Sequence, residues 1–282
     1  MMLAPHVTLE QLAERYSTFL IDQFGVLRDD VAAFPGANEA LLFLKSRGKA
    51  VIILSNSGRS GDYNSERFVR MGFAREGFDH FLTSGDVAYE TLRSERKSIS
   101  RPLRCLTISS GDDRNLSDRL GYRPVKDASL ADLVIISGSE ADIVPMALYR
   151  DRLRPAAIRG VPCYCTNPDR HKLANGAIAP GAGSIALAYQ ELGGSVRWFG
   201  KPYSGIYDKA LALAGSTRGD VICIGDSLEH DIAGASGAGL ASCLVRTGIL
   251  SGIQGQDLAA LSARLSALPD YLMDRFRHGS SI

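Results

Sequence analysis

The sequence predicts an α/β fold in two parts: a parallel sheet built from both ends of the chain, interrupted by a second α/β domain. Three observations carry this. Short aliphatic runs alternate with helical patterns at both ends of the chain, the rhythm of βαβ units. Polar groups of complementary chemistry stand where four of those runs stop. The middle of the chain, residues 86–182, has strand and helix patterns of its own.

The first run, TFLID over 18–22, is followed by a helical pattern over 37–48 (ANEALLFLKSRG) and by KAVIILS over 49–55. In the middle stretch PLRCLTIS, DLVIIS and VPCYC are strand candidates, separated by polar and helical segments. The rhythm resumes with a helix over 183–192, the run RWFG, a helix over 205–214, and the runs DVICIG and ASCLV. The two ends are expected to share one sheet. This gives a core in two parts, 1–85 and 183–282, around an insert at 86–182. Linkers near 84–86 and 180–183 are expected to serve as hinges, since their glycines permit unusual backbone angles. The final RHGSSI reads as a frayed end.

Composition narrows the partners. The chain has 282 residues, 45% hydrophobic and 22% charged, with 32 Lys+Arg against 31 Asp+Glu and a formal net charge of +1. That near-zero balance, with no Lys/Arg run, argues against nucleic acid, whose binders rely on neutralising phosphate charge. No apolar run approaches the roughly 18 residues of a membrane span, and the start lacks a basic segment followed by an apolar one. The expected location is cytoplasmic. Five scattered cysteines make a poor disulfide framework. Cys223 and Cys243 sit in apolar runs, and the C-x-C of Cys163 and Cys165 has no second pair at zinc-site spacing. All are expected to be structural.

Asp22 follows TFLI, Ser55 follows VIIL, Lys201 follows RWFG, and Asp226 follows VICIG. If these runs are parallel strands, their carboxyl ends open on one crevice, where an open α/β sheet binds ligands. Each residue alone has a plain structural reading, as a turn residue or helix cap. Together, a carboxylate, a hydroxyl, an ammonium and a second acid favour a phosphate site.

These residues also carry a resemblance. DQFGVL at 22–27, LSNSG at 54–58, GKP at 200–202 and GDSLEHDI at 225–232 resemble, in order and spacing, the motifs of the haloacid dehalogenase (HAD) superfamily, class IIA. CTNPD at 165–169 and PGAG at 180–183 look like that branch's cap substrate segment and its return to the core. The resemblance implies a Rossmann-like HAD core, a parallel sheet with helices on both faces, with an inserted α/β cap domain. It implies that Asp22 is a nucleophile that forms an aspartyl-phosphate, turning one hard hydrolysis into two easier steps. Ser55, with the backbone N–H groups of Asn56 and Ser57 at a helix start, would bind phosphoryl oxygens. Lys201 would neutralise nucleophile and phosphoryl group. Magnesium would be held by Asp22, the Phe24 carbonyl, Asp226 and Asp231, a hard-cation site rich in oxygen. Glu229 is a neighbouring acid, and His230 a surface or supporting residue. Partners would be a small phosphorylated metabolite and, in some relatives, a second copy through the cap, giving a homodimer.

One position departs from the family pattern. Superfamily phosphatases usually carry a second Asp two residues after the nucleophile as general acid and base; here it is Phe24. Losing such a group commonly costs about 10²- to 10⁴-fold. Three readings stay open: a magnesium-dependent phosphatase with weakened acid-base catalysis, a dehalogenase-like hydrolase with a non-phosphate leaving group, and a pseudo-phosphatase that binds a phosphorylated ligand. The kept acid pair Asp226 and Asp231 speaks against the second, because halide displacement needs no metal. In the cap, Asp169, Arg170 and His171 are the tentative substrate contacts, and His171, with an unperturbed pKa of roughly 6.5, is the nearest stand-in proton donor.

Overall fold

The structure is a computed structural model and describes residues 4–95, 101–174, 177–248, 250–253 and 255–279. Strands are numbered along the chain: β1 (Thr18–Asp22), β2 (Ala50–Ser55), β3 (His80–Thr83), β4 (Arg104–Ile108), β5 (Arg123–Pro124), β6 (Leu133–Ile136), β7 (Cys163–Cys165), β8 (His171–Ala174), β9 (Ala177–Pro180), β10 (Val196–Trp198), β11 (Val221–Gly225), β12 (Ala241–Val245) and β13 (Tyr271–Met273). The chain divides into two compact units. One comprises Met1–Ser55, Gly61–Leu82 and Lys201–Ile282; the other comprises Asn56–Ser60 and Thr83–Gly200.

The first unit is built on a six-stranded sheet of order β13-β12-β11-β1-β2-β3. Its ladders β2-β1, β1-β11, β11-β12 and β12-β13 are all parallel. Parallel strands are covered on both faces, so β1 and β11 read as unbroken apolar runs rather than alternating ones. Phe19, Ile21, Val51, Ile53, Ile222 and Ile224 pack in one buried cluster with Leu41 and Leu44 of the helix Ala37–Ser46. That helix stops two residues short of the expected end, where Gly48 takes a left-handed turn at φ 69°. From β1 the chain moves to β2 on one side; from β11 it moves to β12 on the other. The strand order therefore reverses at the β1/β11 boundary, the position at which such sheets bind ligands.

The C-terminal segment is better anchored than a frayed end. His278 stacks on Phe43 at 3.9 Å between centroids, and the Gly279 N–H donates to Glu10 Oε1 at 2.8 Å. Residues 280–282 lie outside the described residues. Among the described residues no helix is long and apolar enough to cross a membrane.

The second unit has a five-stranded sheet, β10-β7-β6-β4-β5, parallel throughout, and an antiparallel hairpin of β8 and β9. Here two expectations are corrected. RWFG was expected in the core sheet, but its strand β10 pairs with β7, Val196 opposite Cys163 and Trp198 opposite Cys165. The helix Ala182–Glu191 buries Ile185, Ala186 and Tyr189 against Val134, Ile136 and Cys163. Packing thus carries this unit on to Gly200, past residue 182 where the sequence reading ended the insert. The expected hinge glycines are also packed tightly. A Cβ on Gly85 would lie 2.3 Å from Gly58 O, and Cβ atoms on Gly181 and Gly183 would lie 2.1 and 2.2 Å from the carbonyl oxygens of Asp169 and Pro168. These glycines allow close backbone approach. All five cysteines are buried and unbridged.

Candidate active site

Asp22 is the last residue of β1 and Asp226 the first after β11. Because these strands are adjacent and parallel, the two carboxylates leave the same edge of the sheet. Asp231 follows on a single wide turn, Leu228–Ile232, in which the N–H groups of Asp231 and Ile232 both donate to Ser227 O, at 3.0 and 3.1 Å. Such i→i+5 turns are rare and recur at functional sites. The turn aims Asp231 back at the strand ends. One oxygen from each of Asp22, Asp226 and Asp231 lies within 4.8 Å of the others.

Lys201 completes the cluster. Its Nζ donates to Asp22 Oδ1 at 2.5 Å and to Asp231 Oδ1 at 2.6 Å, and the residue is 3% exposed. Asp231 Oδ2 accepts the Ser227 N–H at 3.1 Å. Ser227 Oγ accepts the His230 N–H at 3.2 Å, so Ser227, not Asp226, caps this turn. Asp231 is buried, not on a solvated face.

Three acids share one ammonium, which leaves an excess of negative charge when all are ionised. Burial raises the Asp22 carboxyl; the Lys201 charge opposes this, and Asp231 and Asp226 push it further up, leaving it well above the ordinary range. Burial pulls Lys201 down, but the carboxylates of Asp22 and Asp231 outweigh it and the net direction is up. An all-oxygen donor set short of positive charge suits a hard divalent cation.

Glycines shape this cluster. A Cβ on Gly248 would lie 1.7 Å from Asp226 Oδ2, one on Gly25 2.1 Å from the same atom, and one on Gly225 2.1 Å from Asp231 Cγ. Gly25 also has φ 77°, and its carbonyl accepts from Thr247 Oγ1 at 2.5 Å. The acids are seated flush on backbone, which limits their rotamers. Sequence reasoning missed this cradle. The signals were a glycine closing VICIG and a Thr-Gly pair soon after ASCLV, but nothing local says which carboxylate presses on them.

The other expected residues are distributed as follows. Ser55 ends β2, one residue beyond Leu54, the register partner of Asp22, and is buried. The helix expected to start there begins at Gly61, so Asn56 and Ser57 lie on a loop, a correction to the helix-start reading. Asn56 Nδ2 donates to Asp169 Oδ1 at 2.7 Å. Ser57 Oγ accepts the Arg59 N–H at 3.2 Å. Arg170 and His171 are exposed, and His171 opens the β8–β9 hairpin. The structure therefore joins Asp22, Lys201, Asp226 and Asp231 in one cluster, and Asn56 with Asp169 in another.

Phe24, two residues from Asp22, has an unexpected neighbour. The residue is 41% exposed, and the Arg28 guanidinium stacks over its ring with Cζ 4.4 Å from the centroid. Arg28 itself is 1% exposed. Its Nε donates to Asp29 O at 2.8 Å and its Nη2 to Asp30 O at 3.2 Å, while Nη1 is buried without a partner. An Arg beside two Asp residues reads in sequence as solvated surface, so no signal singled it out.

Residues 19–123 match a family model described as haloacid dehalogenase-like hydrolase, and residues 198–278 one described as HAD-hydrolase-like. A D-glycerol 3-phosphate phosphatase of Mycobacterium tuberculosis is 28% identical over 86% of this chain and 66% of its own length. Chronophin of Bos taurus is 26% identical over 94% of this chain and 93% of its own. Among solved structures, a haloacid dehalogenase-like hydrolase from Brucella suis 1330 has TM-score 0.80 at 23% identity, covering 96% of this chain and 99% of that one. The p-nitrophenyl phosphatase from Archaeoglobus fulgidus has TM-score 0.72 at 25% identity, covering 93% and 97%.

Proposed function

We propose that this chain, which belongs to the haloacid dehalogenase-like hydrolases and is a phosphatase-like enzyme of class IIA, hydrolyses a small phosphorylated metabolite, with magnesium, through an aspartyl-phosphate on Asp22. The observation that carries this is the buried Lys201 ammonium bonded to both Asp22 and Asp231, with Asp226 in the same cluster.

In the first step a carboxylate oxygen of Asp22 bonds to phosphorus as the ester P–O bond breaks, and the electron pair leaves with the departing oxygen. Lys201 opposes the upward push of burial on the Asp22 carboxyl, favouring its ionised form, and offsets charge on the phosphoryl oxygens. Ser55 and the N–H groups of Asn56 and Ser57 hold those oxygens. Water then cleaves the acyl phosphate and restores Asp22. Asp22, the Phe24 carbonyl, Asp226 and Asp231 would hold magnesium, whose positive charge stabilises the transferring phosphoryl group. The glycine cradle and oxygen-only donors fit such an ion. The same three-acid cluster disfavours a halide leaving group, which needs no cation. Arg170 and His171, exposed on the second unit, are candidates for substrate contact, and the insert is proposed to act as the cap, a surface through which copies could pair. The names of the relatives support a small phosphate ester as substrate.

Phosphate release from a metabolite panel, with and without magnesium, tests the reading, with Asp22→Asn beside the parent enzyme. Turnover should require magnesium and be lost in Asp22→Asn, and acid quench should trap label on Asp22. Turnover that ignores magnesium, or no release from any ester, would overturn it.

A further inference from the structure

Arg28 is a buried cation without a counter-ion. Among the described residues no carboxylate oxygen lies within 4 Å of its guanidinium, and its bonds go to the backbone carbonyls of Asp29 and Asp30 and to the face of Phe24. The carboxylate of Asp29 is already engaged by the N–H groups of Val31 and Ala32, at 2.8 Å each. Burial pushes the guanidinium pKa down, and the nearby positive charge of exposed Arg67 pushes it further, against Asp30 and Asp29. A buried N–H with no acceptor is costly, and an apolar residue at position 28 would avoid the cost. The guanidinium is short of one acceptor at Nη1 and of one negative charge.

Its location says where that charge comes from. Gly25, next to Phe24, lies against the Asp226 carboxylate, so the Phe24–Gly25 peptide adjoins the acid cluster. The Phe24 ring is the exposed neighbour of the guanidinium. Phe24 has no proton to give a departing oxygen, and neither has an arginine, which stays protonated throughout. A guanidinium N–H can still hydrogen-bond an oxyanion.

We propose that Phe24 and Arg28 form a leaving-group subsite, in which Phe24 turns aside and Arg28 Nη1 binds the departing oxygen as an anion. This rests on the phosphohydrolase reading and names its substrate class: phosphate esters or anhydrides whose leaving group is stable without a proton, an aryloxide, enolate, carboxylate or phosphate. The P–O bond breaks, the pair stays on oxygen, and no proton moves in that step. Alkyl phosphates are poor substrates because alkoxides are not stable in this way.

Two measurements test it, one of them free of turnover. The first uses 4-nitrophenol, whose phenolate alone absorbs in the visible, added to enzyme with magnesium and tungstate. The parent enzyme should bind it as phenolate and lower its apparent pKa. Arg28→Met should abolish that shift, Arg28→Lys should restore part of it, and tungstate affinity should stay within about twofold. The second is kcat/KM across substituted phenyl phosphates. Arg28→Met should lower the series by about 10²-fold, the scale for losing one oxyanion donor, and steepen its dependence on leaving-group pKa. An equal nitrophenol shift in parent and Arg28→Met overturns the subsite. So does a parallel fall of tungstate affinity and rate, which would put Arg28 on the phosphoryl group, or an unchanged slope with only a lower melting temperature, which would make it a structural staple. An Arg28-dependent shift without phosphate release from any ester would instead retain the subsite and reject the phosphohydrolase reading.

Discussion

Replacing Lys201 with Met should produce a stability loss that depends on pH and is repaired by magnesium. The perturbation removes the ammonium bonded at 2.5 and 2.6 Å to Asp22 and Asp231 and leaves three acids whose oxygens lie within 4.8 Å. Two like charges 4 Å apart at an effective dielectric of 20 repel by about 4 kcal/mol. The acids then cannot all stay ionised, so one takes a proton. Holding a proton on an Asp of ordinary pKa near 3.9 costs about 1.4 kcal/mol per pH unit, hence about 4 kcal/mol at pH 7 and about 1.5 at pH 5. The sign follows from the direction already present in the parent, where the Asp22 pKa is raised. A carboxyl raised in the folded state contributes full stability below its unfolded pKa and loses it as pH rises towards the folded one. Urea unfolding in chelator at the two pH values measures the loss. Adding magnesium at neutral pH should recover most of it, because the ion replaces the lost charge and binds only the folded state. A loss equal at both pH values, or unmoved by magnesium, would refute the reasoning.

Phe24→Asp should restore some alkyl-phosphate turnover, but less than the 10²- to 10⁴-fold that general acid-base catalysis supplies, because Arg28, stacked on that position, would pair with the new carboxyl and hold it ionised; the double variant Phe24→Asp/Arg28→Met should outrun the single one in phosphate release. Gly248→Ala places a methyl where Asp226 Oδ2 now sits, so calorimetry should show magnesium affinity reduced by about tenfold or more while circular dichroism is unchanged. Buried thiols, with Cys105 pushed up to about 12 by burial and Cys223 raised further in the same direction, should resist a disulfide reagent in native buffer and react fully in denaturant.

Those parts of the fold that declare themselves locally were legible. The runs that became β1, β2 and β11 are buried on both faces, so continuous apolar residues mark them, and the acids that end or follow them mark the ligand edge. Asp22, Lys201 and Asp226 were named from such endings and Asp231 from the resemblance carried by GDSLEHDI, and all four meet. What could not be read depends on distant partners. Strand β10 is three residues long and only partly buried, and nothing in Val196–Trp198 says that Cys163–Cys165, not β11, lies beside it. Lys201 was placed at the end of a core strand; the strand before it, β10, belongs to the other sheet, while Lys201 itself packs with the first unit. The glycine cradle and the stacked Arg28 are contacts between residues far apart in the chain or hidden by a turn, and a polar neighbourhood in sequence gives no hint of burial.

The strand β10 and the helix Ala182–Glu191 also decide how this protein can be recombined. A chimera that exchanges residues 86–182 would leave behind the helix that covers β6 and β7, expose Ile185 and Tyr189, and strip β7 of its neighbour, creating an unpaired strand edge of the kind that templates aggregation. Junctions at 83/84 and 200/201 keep each sheet whole. Lys201 then stays with the recipient, together with Asp22, Asp226 and Asp231. On the proposed reading, the stretch to exchange is the one that folds together, and it is longer at its carboxyl end than the motifs alone would mark.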